Sequence, residues 1–270
     1  YGHDTVHSPN IDAFAAESVL LPDCHCQVAL CTPSRTSILT GIRPSTSGIV
    51  KIDDDWKQIL PHAVSLPRHF RDHGYYAHRV GKISDPRCGG PDNAWTVSQE
   101  EWGVTGNSLP MKALENAANQ DAPFFLAIGY KQAHEPWNPS ADSLNKYDID
   151  KIEPEGDGNI YKGNELSEFE IRKLTRAYFA SITDADRLVG EIIQRAKELD
   201  LYENTIILVG AMDHGFSLGE HGRWGKGNNY DTETQVPLLI RVPGNPNNGK
   251  PAAGITELVD LYPTLVDLCG

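Results

Sequence analysis

Apolar residues in this chain fall into short runs separated by polar, turn-rich stretches. Val19-Leu20-Leu21, Tyr75 to Val80, Phe124-Phe125-Leu126-Ala127-Ile128, Thr205-Ile206-Ile207-Leu208-Val209 and Val236-Pro237-Leu238-Leu239-Ile240 are short and nearly continuous. Runs of that kind read as strands buried in a sheet. Between them lie helical patterns: a short amphipathic stretch after Pro9-Asn10 (Ile11, Phe14, Ala15), Ser34 to Thr40, about Leu66 to Asp72, and Leu258 to Leu268. The longest begins with a capping box, Ser167 and Glu170, and puts Ile171, Leu174, Tyr178, Ile182, Val189, Ile192 and Ile193 on one face. Its Asp184, Asp186 and Arg187 read as a solvated face. Asp142 to Asn164, rich in Asp, Asn, Gly and Pro, reads as a long surface excursion. The alternation predicts an α/β sandwich, in which chemistry collects beyond the carboxyl ends of the strands.

With 270 residues and 39% hydrophobic content, the chain can bury a full core, and one large domain is expected. Its formal net charge of -13 opposes binding to nucleic acid or other extended polyanions, so an anionic substrate must meet a local basic pocket. No apolar run approaches the roughly 20 residues of a membrane span, and no basic-then-apolar signal opens the chain. The start at Tyr1, without Met, reads as that of a processed or truncated product. Of the five cysteines, Cys24 and Cys26 stand too close for an ordinary disulfide and are expected as free thiols. Cys24-His25-Cys26 with Cys31 lacks the second paired cluster of a structural zinc site.

Cys31-Thr32-Pro33-Ser34-Arg35, continuing to Thr40-Gly41, carries the candidate chemistry. Pro33 suits the first turn of a helix and Gly41 its end. A sulfur at such a start, with Arg35 one turn on, is placed to work on an anion. Read as chemistry alone, Cys31 is equally a buried small hydrophobe or half of a disulfide. A cysteine-phosphatase loop would need its arginine further on, where Ser37 stands. Lys82, His134 and Asp213 with His214 also follow predicted strands, and Lys226 lies in Arg223-Trp224-Gly225-Lys226-Gly227. Taken singly these are a surface lysine, a packed histidine and a turn; their common placement at strand ends is what suggests one pocket.

The run from Cys31 to Gly41 matches the pattern Cys-x-Pro-Ser-Arg followed by Thr-Gly, and on it the chain resembles the sulfatase family. The likeness extends from Ser8-Pro9-Asn10-Ile11-Asp12 to the stretch Leu258 to Leu265. Gly129-Tyr130 with His134-Glu135-Pro136-Trp137, and Asp213-His214-Gly215 with Leu218-Gly219-Glu220-His221-Gly222, resemble the iduronate-2-sulfatase-like branch. The resemblance implies a three-layer αβα sandwich around a mostly parallel sheet, of the alkaline-phosphatase and sulfatase type. It implies that Cys31 is oxidised to formylglycine by a formylglycine-generating or anaerobic sulfatase-maturating enzyme, and that Arg35 supports the aldehyde hydrate. Lys82, His134 and Lys226 would contact the sulfate or the leaving oxygen. Asp213, His214 and the Cys31 product would help hold a divalent cation, usually calcium. One hydroxyl of the hydrate attacks sulfur, the alcohol leaves with a proton from an acid such as His134, and the second hydroxyl expels sulfate. The substrate implied is a sulfated carbohydrate, and the compartment is periplasmic, extracellular or lysosomal.

Three departures from the family pattern stand out. The strand ending in an Asp-Asp pair and the smaller C-terminal subdomain fall outside residues 1–270, which are expected to form a single catalytic domain without them. Asp85, in Gly81-Lys82-Ile83-Ser84-Asp85, stands where the family has a histidine, and a carboxylate repels sulfate unless protonated or paired. Gly210-Ala211-Met212 is one residue longer than the family's link to Asp213 and could introduce a bulge. Two other readings follow: a phosphate or phosphonate monoester hydrolase of the same fold, and a degenerate, non-catalytic sulfatase-like protein that binds sulfated glycans.

Overall fold

The computed structural model describes residues 2–88, 93–100 and 102–270. Strands Val97–Gln99, Tyr76–Gly81 and Phe124–Gly129 form a parallel sheet in that spatial order, with Tyr76 opposite Phe124 and Gly81 opposite Gly129. A second sheet has Leu238–Arg241 in the middle, antiparallel to both Val19–Leu21 and Ile207–Gly210. Thr256–Glu257 runs parallel to Cys24–His25. The helix Cys31–Thr40 packs with Leu66–Asp72 and with the last helix, Leu261–Cys269. The 31-residue helix Glu168–Glu198 packs with Pro9–Ala15 and Ser108–Ala118. These two helical groups enclose the sheets in the expected αβα order, although Leu238–Arg241 makes the second sheet antiparallel in its pairing.

The predicted elements appear close to their expected bounds because short apolar runs and helical periodicity were strong there. Burial differs for two strands. Phe124–Gly129 is half-buried along its whole length rather than enclosed, and Ile207–Gly210 is half-buried up to an exposed Gly210. Each is an end strand among the described residues, so one backbone edge of each lacks a ladder partner. The core between sheet and helices is formed by Cys24, Cys26, Ile38, Leu238 and Leu258, with Met212 packed against it. A second cluster joins Trp137, Tyr147, Phe179 and Trp224. Full burial of each such large side chain stabilises by about 1.5–3 kcal/mol.

The capping box forms: Ser167 Oγ accepts from the Glu170 amide at 3.3 Å, and the Glu170 carboxylate accepts from the Ser167 amide at 2.8 Å. Ser167→Ala is therefore expected to cost about 1 kcal/mol, read as a lower urea midpoint with an unchanged slope. The helix's acidic residues correct the sequence reading. Asp184 is buried, accepting from the Ser140 amide (2.7 Å) and from the hydroxyls of Ser140 (2.6 Å) and Ser143 (2.7 Å). Asp186, also buried, accepts from the amides of Asn10 (3.3 Å) and Ile11 (2.7 Å) at the start of Pro9–Ala15. Both satisfy orphan donors supplied by distant segments, which helical periodicity does not register.

The excursion from Asp142 to Asn164 is likewise more than surface. Tyr147 and Ile152 are buried, the Gly158 amide donates to the Gly219 carbonyl (2.9 Å), and the Gly158 carbonyl accepts from Trp224 Nε1 (2.7 Å). It thereby props the turn that leads into Lys226.

Candidate active site

Cys31 opens the helix Cys31–Thr40, and its N-cap, Leu30, provides no side-chain cap, so the first-turn amides remain available to an anion. Gly41 ends the helix at φ 67°, the left-handed conformation expected of that glycine. One turn on, Arg35 ties three elements together. Its Nε lies 3.2 Å from Asp213 Oδ2, and its Nη1 donates to the carbonyls of Lys82 (2.8 Å) and Ile83 (3.1 Å). Ser34 Oγ donates to the Asp213 carbonyl at 2.5 Å, locking the Asp213 turn onto the same helix.

Asp213 and His214 follow Ile207–Gly210. The longer link through Met212 is absorbed by a tight turn, in which the Asp213 amide donates to the Ala211 carbonyl (2.7 Å) while Met212 packs into the core. His214 Nδ1 lies 2.8 Å from the Gly215 carbonyl and so donates to it, leaving Nε2 toward Cys31 Sγ (3.5 Å) and Lys226 Nζ (2.8 Å). Lys226 Nζ is also 3.2 Å from Cys31 Sγ. His134, beyond Phe124–Gly129, places Nδ1 2.6 Å from the Glu135 carbonyl. Burial alone would raise the Cys31 thiol, and Asp213 opposes its ionisation. Hydrogen bonds from His134 and His214, with the charge of Lys226, outweigh both and bring it down to about 5. Burial would also raise the Asp213 carboxyl, but Arg35, His214, Lys226 and Lys82 hold it below the usual carboxylate range.

Lys82 follows Tyr76–Gly81. Gly81 takes φ 77°, and a Cβ there would lie 2.2 Å from the Gly129 carbonyl oxygen. The turn presents the Lys82 carbonyl to Arg35 and its ammonium, 2.9 Å away, to Asp85 Oδ2. Asp85 is fully buried and also accepts from Arg87 Nε (2.8 Å) and Nη2 (2.9 Å). The carboxylate expected to repel sulfate is thus neutralised by two cations. Burial pushes the Asp85 carboxyl up, yet Arg87 and Lys82 more than offset this and hold it well below its ordinary range. A carboxyl depressed in the folded state stabilises fully above its unfolded pKa and loses that contribution as pH falls toward the folded value. Asp85→Asn is therefore expected to lose about 3 kcal/mol or more at neutral pH and to flatten the acid limb of the stability curve below about pH 4, measured by urea unfolding across pH.

Cys31, Arg35, His134, Asp213, His214 and Lys226 are brought together. Lys82 joins them through its carbonyl, with its ammonium turned to Asp85. Sequence reasoning missed the supports. Glu233, fully buried, accepts from Ser217 Oγ (2.9 Å) and the Asn228 amide (2.7 Å) and pairs with Arg223 (3.0 Å), framing the Lys226 loop. Glu135 accepts from the Tyr161 hydroxyl and lies 2.9 Å from Lys162 Nζ, tying the excursion to the His134 loop. Among the described residues, a donor set for a metal comprises Cys31, Asp213 and His214, whose donor atoms lie within 4.8 Å of one another. Asp213 Oδ1 is buried without a hydrogen-bond partner there, as a ligand oxygen would be. The set fits one face of a divalent cation but supplies fewer than the six to eight oxygens calcium takes.

A buried helix start, two imidazoles and two cations are gathered at the ends of sheet strands on an alkaline-phosphatase-like αβα frame. The chain belongs to the sulfatase family, whose model matches residues 1–270. It is 28% identical to the iduronate 2-sulfatase of Homo sapiens, with all of this chain aligned to 66% of that protein. It is 27% identical to an endo-4-O-sulfatase of Bacteroides thetaiotaomicron, with 99% of this chain aligned to 63% of that one. The chain thus spans about two thirds of the length of these curated relatives. A structure solved with its substrate D-glucosamine-2-N,6-O-disulfate superposes with TM-score 0.84 at 20% identity, covering 100% of this chain and 73% of that one. The phosphonate monoester hydrolase of Agrobacterium radiobacter gives TM-score 0.82 at 20% identity, covering 98% and 69%. No helix is long and apolar enough to cross a membrane among the described residues.

Proposed function

We propose that residues 1–270 form a sulfatase-type catalytic domain that hydrolyses the sulfate ester of a carbohydrate, in a periplasmic, extracellular or lysosomal compartment. The observation that carries this reading is the convergence on Cys31 Sγ of His214 (3.5 Å) and Lys226 (3.2 Å), beside an Arg35–Asp213 pair. Cys31 is the residue that a formylglycine-generating or anaerobic maturating enzyme converts to formylglycine, which supplies a geminal diol able both to attack sulfur and to release sulfate. Arg35 orients that group from below, through its fixed bonds to Asp213 and the Lys82 carbonyl. Lys226 neutralises charge on the sulfate oxygens, the largest contribution expected for such a transition state, and Lys82, whose ammonium pairs with Asp85, would join it only by turning from that carboxylate. His134 holds its Nδ1 proton on the Glu135 carbonyl and, as the imidazolium, gives its Nε2 proton to the leaving alcohol and is left as neutral imidazole. Asp213, His214 and the oxygen that replaces the Cys31 sulfur would hold one side of a divalent cation, calcium in this reading, which would supply positive charge beside the sulfate.

Peptide mass spectrometry of the Cys31 region, from a host with the maturating machinery, should find the aldehyde or its hydrate. Sulfate release from a sulfated sugar should exceed phosphate or phosphonate release from matched esters and vanish in Cys31→Ser. Undiminished hydrolysis by that variant would refute the mechanism, and faster phosphonate turnover would favour the monoester hydrolase reading instead.

A further inference from the structure

Beside the site, four residues form a cluster to which this reading assigns no substrate contact beyond Lys82. Trp102 is 55% exposed, the indole of a chain that buries Trp56, Trp137 and Trp224. Lys82 Nζ lies 5.0 Å and Arg87 Cζ 5.4 Å from its ring centroid. Both cations are fixed by one fully buried carboxylate, Asp85, at 2.8 to 2.9 Å. An exposed tryptophan alone means little. Here the ring is held by two cations whose own geometry is set from the interior, while more than half of its surface stays accessible.

The charge balance is also directed. Lys82 and Arg87 carry two positive charges against the one on Asp85 that they contact, and the Asp53 carboxylate also acts on Arg87. Arg87 uses Nε and Nη2 on Asp85, and its side chain is still 40% exposed, so among the described residues Nη1 remains for a ligand. Asp85 joins it to Lys82, whose carbonyl is held by Arg35 of the Cys31 helix at 2.8 Å, so the cluster borders the site. A flat apolar face with a forked cation at its edge suits a sugar ring bearing a carboxylate or sulfate.

We infer that Arg87 and Trp102, positioned by Asp85, form a subsite for a second anionic substituent on the sulfated sugar, with the ring resting on the indole. This rests on the sulfatase reading. Asp85 is then a positioning residue, and the position where a histidine was expected has become the anchor of a specificity element.

The test is steady-state hydrolysis by the matured protein of three matched sulfated disaccharides, in which the ring next to the ester carries a carboxylate, a second sulfate or a neutral hydroxymethyl group. The wild type should prefer one or both anionic substrates by about tenfold or more in kcat/KM. Arg87→Gln should collapse that preference, mainly through KM. Trp102→Ala should raise KM for all three, and Trp102→Phe should restore part of the loss. The carboxylate and disulfate arms identify which anion the subsite reads. Equal wild-type rates on the three, or an anion preference unchanged in Arg87→Gln, would overturn the inference while leaving sulfate hydrolysis intact. Absence of sulfate release from all three would instead overturn the functional reading itself.

Discussion

Arg35→Ala is expected to lower stability by about 3 kcal/mol, because it strands the largely buried Asp213 carboxylate and two carbonyls at once. For a chain of this size that corresponds to a melting temperature lower by on the order of 10 °C. Arg35→Lys should recover little of it, since an ammonium cannot reproduce a planar fork that spans Asp213, Lys82 and Ile83. Differential scanning calorimetry of the two variants checks this without any substrate. A loss below about 1 kcal/mol in Arg35→Ala would mean that the pairing with Asp213 is not what holds the helix start to the strand ends. In the matured protein the same variant should lose turnover by about a hundredfold or more, the scale of removing one preorganised donor.

The second large effect is expected at Gly81. Alanine there meets two obstacles together: a backbone at φ 77°, and a Cβ 2.2 Å from the Gly129 carbonyl oxygen. The obstructing atom belongs to the paired strand, so no side-chain rotation relieves it. Parting the ends of Tyr76–Gly81 and Phe124–Gly129 would move Lys82 and the His134 loop in the same event. Gly81→Ala is expected to cost more than about 3 kcal/mol and to yield little soluble protein. Gly74→Ala, also at positive φ but with open space around its Cβ, isolates the backbone component and should cost about 1 kcal/mol. Equal effects in the two variants would show that the contact with Gly129 relaxes freely.

The architecture was legible in the sequence where a single physical signal dominated. The Cys31–Thr40 helix had a proline for its first turn and a glycine for its end, and the strands were short apolar runs. The site residues were legible as a set because each followed such a run. Their partners were not. Asp184 and Asp186 sit on a strongly amphipathic helix at positions that periodicity assigns to solvent, and only the approach of residues 140–143 and 10–11 makes them acceptors. Asp85 read as a liability because Arg87 and Lys82 flank it at i+2 and i−3, spacings that say nothing about geometry in a non-helical turn. Glu233 and Glu135 answer to contacts with segments distant in sequence or in a neighbouring loop, which composition does not encode.

The two end strands carry a consequence for handling the protein. Among the described residues, Phe124–Gly129 and Ile207–Gly210 each border a sheet and leave a row of backbone donors and acceptors, flanked by Phe, Leu, Ile and Val, for a further strand. A border of that kind recruits any extended peptide that reaches it, including another copy of itself. Residues 1–270 expressed by themselves at high concentration should drift toward intermolecular β-association, and a short apolar peptide supplied in excess should compete with that drift and keep them dispersed.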